Sequence, residues 1–256
     1  MNPNVQRLIL ASVAMAALGL ATAAPSSWAR DAKVGKAAEA TEVPMKDARL
    51  KIELNSTDGD AGIQVFVDAD PWKWLEIYDP NDRLIFRSTA YGRFAKQGGT
   101  ELFMESAEPD FSELPLADFL RRFPEGEYEF EAQGLDGQIF VGSANFTHNL
   151  PAGPELVSPL DGTGLVDPNH AVMTWKPVGP ANGSPIVGYQ VLVVLPQSSI
   201  PAIPKIVLDV MMPPTATSMA VPPGFLRPNT RYEWEVLAIE ASGNQTLSTA
   251  FFQTKP

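Results

Sequence analysis

Leu226-Arg-Pro-Asn-Thr-Arg-Tyr-Glu-Trp-Glu-Val-Leu-Ala238 decides the character of the C-terminal half. Tyr232, Trp234, Val236 and Ala238 alternate with Arg231, Glu233, Glu235 and Leu237, which is the period of two expected of a strand with one buried face. Pro228 and Asn229 supply a turn ahead of it, so that Tyr232 falls at the strand's entry. The pattern has an earlier counterpart. Phe123-Pro-Glu-Gly-Glu-Tyr-Glu-Phe-Glu-Ala132 sets Tyr128, Phe130 and Ala132 against Glu127, Glu129 and Glu131. A hairpin signal follows each copy: Gly134 to Gly137 leads into Ile139 to Thr147, and Ala241 to Asn244 leads into Gln245 to Thr254. Both halves of the chain are therefore expected to end in the same two-strand arrangement.

The spacing Leu226-x-Pro228-x-Thr230-x-Tyr232-x-x-x-Val236-x-Ala238 resembles the fibronectin type III signature at the entry to its sixth strand. Trp175 and Tyr189 stand where that pattern carries its second-strand tryptophan and third-strand tyrosine. The resemblance covers about 100 residues, close to a whole module, and implies a sandwich with Trp175, Tyr189, Leu226 and Tyr232 in its core. The chain as a whole is similar to exported bacterial proteins that end in such a domain, and that similarity implies no particular activity.

The expected fold class is all-β: two tandem β-sandwiches after a signal peptide, the first Ig-like with one short helix, the second of fibronectin type III type. Residues 1–24 read as the signal, with Arg7 as the positive n-region charge, Leu8 to Leu20 as the apolar run, and small residues suited to cleavage after Ala24 or Ala29. Residues 25–48, without apolar periodicity, read as a flexible tether. The first sandwich spans 49–150. Its short runs at Leu50 to Leu54, Ile63 to Val67, Trp74 to Tyr78, Leu84 to Ser88 and Glu101 to Met104 suit strands, with Asp79 to Asp82 as a hairpin. Ser112 to Phe123 reads as an amphipathic helix with Pro115 in its first turn and Leu116, Phe119, Leu120 and Phe123 on one face. Asn149 to Glu155, stiffened by Pro151 and Pro154, reads as a linker holding the two sandwiches end to end. The second sandwich spans 151–256, with a Pro-rich loop from Pro196 to Pro204.

Charge and composition narrow the function. Removing residues 1–24 takes away only Arg7, leaving 18 basic against 30 acidic residues, a net charge of −12. Phosphate binding needs clustered Lys and Arg, so nucleic acid is excluded as the expected partner. With no later apolar run of membrane length, the mature chain is expected to be periplasmic or extracellular, without stable membrane insertion. There is no cysteine, which removes disulfides, thiolate metal sites and a Cys nucleophile. The two histidines, His148 and His170, fall beside strand ends, and no Gly-x-Ser-x-Gly, His-Glu-x-x-His or phosphate-loop motif occurs. The expectation is a non-catalytic binding, spacer or adhesion protein for a protein or glycan ligand. The alternative is a glycan-binding or glycan-processing accessory enzyme using carboxylates such as Glu101, Glu105 and Glu108.

Two clusters carry the site expectation. Asp58, Asp60, Asp68 and Asp70 offer oxygen ligands of the kind calcium takes, although no complete loop motif surrounds them; calcium is the one cofactor the sequence offers, and turn-forming residues on an acidic surface are the plainer reading. Trp72 and Trp74, sharing a face in strand register, together with Tyr91 and Arg93, offer an aromatic and basic binding surface, although burial of the two tryptophans in the core of the first sandwich is the plainer reading. Tyr91 to Gly99 is a basic, Gly-rich loop in an acidic half, placed to contact a partner.

Overall fold

A computed structural model of the chain describes residues 42–196 and 205–256. The expected signal peptide, the tether as far as residue 41 and most of the Pro-rich loop lie outside the described residues. The first half contains β1 (Glu42–Pro44), β2 (Asp47–Asn55), β3 (Asp60–Tyr78), β4 (Leu84–Thr89), α1 (Gly92–Gln97), β5 (Gly99–Glu105), α2 (Leu116–Arg122), β6 (Gly126–Gly134) and β7 (Ile139–Phe146). The second contains β8 (Leu156–Ser158), β9 (Val172–Trp175), β10 (Ile186–Val194), β11 (Ile206–Met212), β12 (Ser218–Ala220), β13 (Arg231–Glu240) and β14 (Gln245–Gln253).

The runs at 63–67 and 74–78, expected as separate strands, are one strand. The first part of β3 lies between β2 and β5, and its last part lies between β4 and β6. Register shifts between Asp68 and Trp72, and again between Trp72 and Trp74, mark the change of sheet. Pro71 sits at this corner, where a residue without an N–H costs the ladder nothing. β1 and β2 turn a second corner: Met45 N–H bonds Val141 O on β7, and the next amide, Lys46 N–H, bonds Asp68 O on β3. Two strands that switch sheets thus close a sandwich around Leu50, Ile52, Val65, Leu75, Ile77, Tyr128, Phe130 and Phe146, with α2 adding Phe119. β1 and the start of β2 fall within the stretch expected as tether, because Val43 and Met45 pack on this core. Pro115 precedes α2 as its N-cap rather than standing inside its first turn.

In the second half, β12, β9 and β8 form one sheet, while β14, β13, β10 and β11 form the facing layer. Between them lie Met173, Trp175, Tyr189, Val191, Tyr232, Trp234, Val236 and Phe252. The quoted stretch behaves as its alternation predicts on its inner face, where Tyr232, Trp234, Val236 and Ala238 are all buried. The Tyr232 hydroxyl accepts the Arg227 N–H at 2.9 Å across the turn that Asn229 makes with φ of 47°. This is a tyrosine corner, the hydrogen bond that ties strand entry to the preceding loop in such sandwiches. Trp234 Nε1–H donates to Pro159 O at 2.9 Å, stitching one sheet to the start of the other.

The halves do not sit end to end. β14 pairs in parallel with β2, Gln245 opposite Glu53 and Leu247 opposite Asn55, so one sheet runs without a break from β1 through β7, β6, β3, β2, β14, β13 and β10 to β11. Asn244 plugs the seam: its Oδ1 accepts Ile52 N–H at 2.8 Å and its Nδ2 donates to Thr147 O at 2.8 Å and Asn149 O at 3.2 Å. Lys51 Nζ donates to Gln245 Oε1 at 2.8 Å, and the Gln245 amide in turn donates to Glu53 and to Gln64. The seam also explains why the outer face of β13 is not the charged, solvated face its sequence implies. Glu235 is 5% exposed, and Leu237 joins Leu192, Val194 and Leu247 in a second apolar cluster. Burial, reinforced by Glu233, Glu53 and Asp58, pushes the Glu235 carboxyl up to about 8.

Candidate binding surface

The β3 corner separates Trp72 from Trp74. Inward residues of β3 follow the order Val65, Val67, Ala69, then Trp72, Leu75 and Ile77, so two three-residue steps break the period of two. Trp72 is buried in the core, whereas Trp74 lies half-buried on the outer face with its Nε1–H donating to Gln133 Oε1 at 3.0 Å. The expectation that both share a face fails because the ladder with β6 shifts register between them, Trp72 facing Gly134 and Trp74 facing Gln133 with Lys73 as the extra residue. The Trp72 indole N–H has no hydrogen-bond acceptor among the described residues.

Tyr91 to Gly99, expected as a loop, contains the short helix α1. Tyr91 is its N-cap, and Gly98 closes it in a left-handed conformation with φ of 77°, its N–H bonding Phe94 O. None of its residues is buried: Tyr91 is 80% exposed and Phe94 72% exposed. The two rings form one wall of a cavity of about 360 Å³, and the other wall is Trp72, Ser88, Thr89, Ala90 and Gly99. Gly99 is there because the Trp72 ring lies against it; a methyl group on Gly99 would stand 2.9 Å from Trp72 Cζ2. The structure therefore joins Trp72 and Tyr91 at one site, adds Phe94, and leaves Trp74 outside it. Arg93 lies exposed on α1 between the two rings in sequence.

Upstream, β4 extends the same surface. Leu84 and Ile85 are both 44% exposed, unusual for strand residues of this size. From residue 83 to 97 the chain carries Arg83, Arg87, Arg93 and Lys96 and no acidic residue, against a net charge of −11 overall. Arg87 pairs with its buried strand neighbour Glu76. Among the described residues, no carboxylate lies within ion-pair distance of Arg83, Arg93 or Lys96.

The four aspartates proposed for calcium do not come together. Asp58 lies in the turn after β2, where its carboxylate accepts the Asn55 side-chain amide, and Asp60 opens β3 in a bridge to Asp110. Asp68 and Asp70 lie at the corner and share Lys46, at 3.8 and 2.8 Å. Eight residues of extended strand separate Asp60 from Asp68, roughly 26 Å. A different trio converges: Glu53, Glu105 and Glu108 bring carboxylate oxygens within 4.8 Å of one another. Glu105 and Glu108 belong to the carboxylates expected at a glycan groove, whereas Glu53 does not, since only the β2–β3–β5 pairing brings it to them. Amides hold two of the three, Gln64 donating to Glu105 at 2.9 Å and Gln245 to Glu53. Burial raises the Glu53 carboxyl, with Lys51 and Gln245 opposing that rise. Neither this cavity nor a second one of about 360 Å³, at Ala48 to Lys51 and Ala241 to Gly243, is lined by these carboxylates.

The molecule is thus an all-β protein of sandwich architecture whose second half has a fibronectin type III-like fold. The sequence matches no family model and no curated protein. Among solved structures it is similar to the fibronectin(III)-like modules of Clostridium thermocellum CbhA, with 12% identity and a TM-score of 0.34 over 82% of this chain and 93% of that one. The FN1–FN3 domains of chicken CNTN1 give 13% and 0.33, over 85% and 69%. A 1.5-MDa bacterial ice-binding adhesin gives 11% and 0.27, over 84% and 66%.

Proposed function

We propose that this chain is an exported, non-catalytic binding protein that meets its partner through β4 and α1 of the first sandwich, with the second sandwich as its scaffold. The observation that carries this reading is the pair of rings at Tyr91 and Phe94, 80% and 72% exposed beside Arg93 and Lys96, which have no ion-pair partner among the described residues of a strongly acidic chain. Leaving two aromatic rings in water forgoes the stabilisation that burying them would give, on the order of 2 kcal/mol each. Exposed aromatic and arginine side chains in one patch are what interfaces use as anchors. Export rests on the charge, apolar run and small residues of positions 1–24.

The enzyme reading has one observation in its favour, the approach of Glu53, Glu105 and Glu108. Amide donors engaged with Glu53 and Glu105 favour a structural seam instead. A capture experiment tests the binding reading: the mature protein and its Tyr91→Ala/Phe94→Ala variant are immobilised and exposed to an envelope extract. The expected result is a component held by the first and lost by the second at equal thermal stability. Equal retention by both would overturn the assignment of this surface.

A further inference from the structure

We infer that the partner is an extended acidic polypeptide segment that adds to the open edge of β4 as a further strand, an inference that rests on the β4–α1 binding surface proposed above. Among the described residues β4 pairs with β3 alone. Ala90 N–H donates to Lys73 O at 2.7 Å, and Ser88 and Phe86 stand opposite Leu75 and Ile77. Hydrogen-bonded and non-bonded pairs alternate in an antiparallel ladder. The amides and carbonyls of Phe86 and Ser88 therefore face β3, and those of Arg87 and Thr89 face the open edge. An edge of this kind is a template for another strand unless charge, bulge or cover blunts it. Among the described residues no further strand pairs with it, and the exposed Leu84 and Ile85 stand along it.

The occupant's chemistry follows from what lines that edge. Phe86 packs against the core opposite Ile77, while Arg87 projects to the other side opposite Glu76, and the register shift at Ile85 sets the exposed Leu84 opposite Tyr78 on that outer side as well. An added strand would set an apolar residue beside Phe86 and, on the other side, residues beside Arg87 and Leu84. Arg83, Arg93 and Lys96 make carboxylates the complementary choice for those positions. A second copy of this chain does not fit, because it would bring the same four cations against themselves. Residues 25–41 do not fit either, holding three basic and two acidic residues. Lipid or glycan satisfies the cations but offers no backbone to continue the ladder.

The probe is a short acetylated peptide alternating Glu and Val, with a counterpart carrying Lys for Glu, titrated into the mature protein while amide exchange is followed residue by residue. The Glu peptide is expected to bind, to slow exchange at Arg87 and Thr89, and to lose about tenfold or more in affinity in the Arg93→Glu/Lys96→Glu variant. The Lys peptide is expected not to bind. Binding of the Glu peptide without slowed exchange at Arg87 and Thr89, or equal binding of both peptides, would contradict strand addition. If neither peptide binds while phosphatidylglycerol vesicles or an anionic polysaccharide are held through Tyr91 and Phe94, strand addition fails and the binding surface stands. If neither peptide binds and no other anionic probe is held through Tyr91 and Phe94, strand addition is overturned and the surface assignment falls with it.

Discussion

Tyr232 and Gly99 show how single residues set this architecture. Tyr232→Phe keeps the ring, which stacks on Phe252 with centroids 5.6 Å apart, and removes only the hydroxyl that accepts Arg227 N–H. Loss of one such bond is expected to cost about 1 kcal/mol, read from a urea titration with unchanged slope. Gly99→Ala acts through space: the new methyl meets three atoms of the Trp72 ring at 2.9 to 3.1 Å, backed by the packed core. That crowding is expected to destabilise by about 1–3 kcal/mol and to change the near-ultraviolet dichroism of the tryptophans. The role of Tyr232 was legible in sequence because the turn, the tyrosine and the alternation are local. The place of Trp72 was not, since its direction depends on a bulge whose extra residues only the pairing with β5 and β6 reveals.

Among the elements, β4 and α1 are the ones whose composition conflicts with their burial. A surface strand and helix that expose Leu84, Ile85, Tyr91 and Phe94 contribute little to the core, so substitutions there should separate binding from stability. Tyr91→Ala and Phe94→Ala are each expected to move unfolding free energy by no more than about 0.5 kcal/mol. Asn244 in the β13–β14 hairpin is the opposite case. Its Oδ1 holds the amide of Ile52, which is fully buried, and its Nδ2 holds two carbonyls. Asn244→Ala is expected to cost about 2–4 kcal/mol in the same titration, since it leaves buried groups of both halves unpaired. In sequence Asn244 reads as an ordinary hairpin turn residue. Its second task belongs to a contact 192 residues away along the chain.

For the whole molecule, the ladder between β2 and β14 joins the two sandwiches side by side, which the Pro-rich linker alone does not imply. Composition and periodicity announced two sandwiches, but the lateral seam has no periodic signal of its own. Its groups look in sequence like solvated ones, Glu235 most of all. The pH dependence should report this. The Glu235 carboxyl titrates at about 8 in the folded chain against 4.5 when unfolded. Between those values the folded state holds a proton that the unfolded state has released, so stability is greatest below pH 4.5 for this group and declines as pH rises towards 8. Between the two values the decline is at most about 1.4 kcal/mol per pH unit. Glu235→Gln is expected to abolish it and to stabilise the protein at pH 8; an unchanged profile would show that the seam is not closed to water.

Partner contact is proposed at β4 and α1, with the fibronectin type III-like half in a supporting role. The most direct test is amide hydrogen exchange over the mature chain, with and without the component captured from an envelope extract. Protection is expected to rise across residues 84–97 and to stay constant in β8, β9, β11 and β12. Protection appearing in those strands of the second sandwich, with residues 84–97 unchanged, would contradict it.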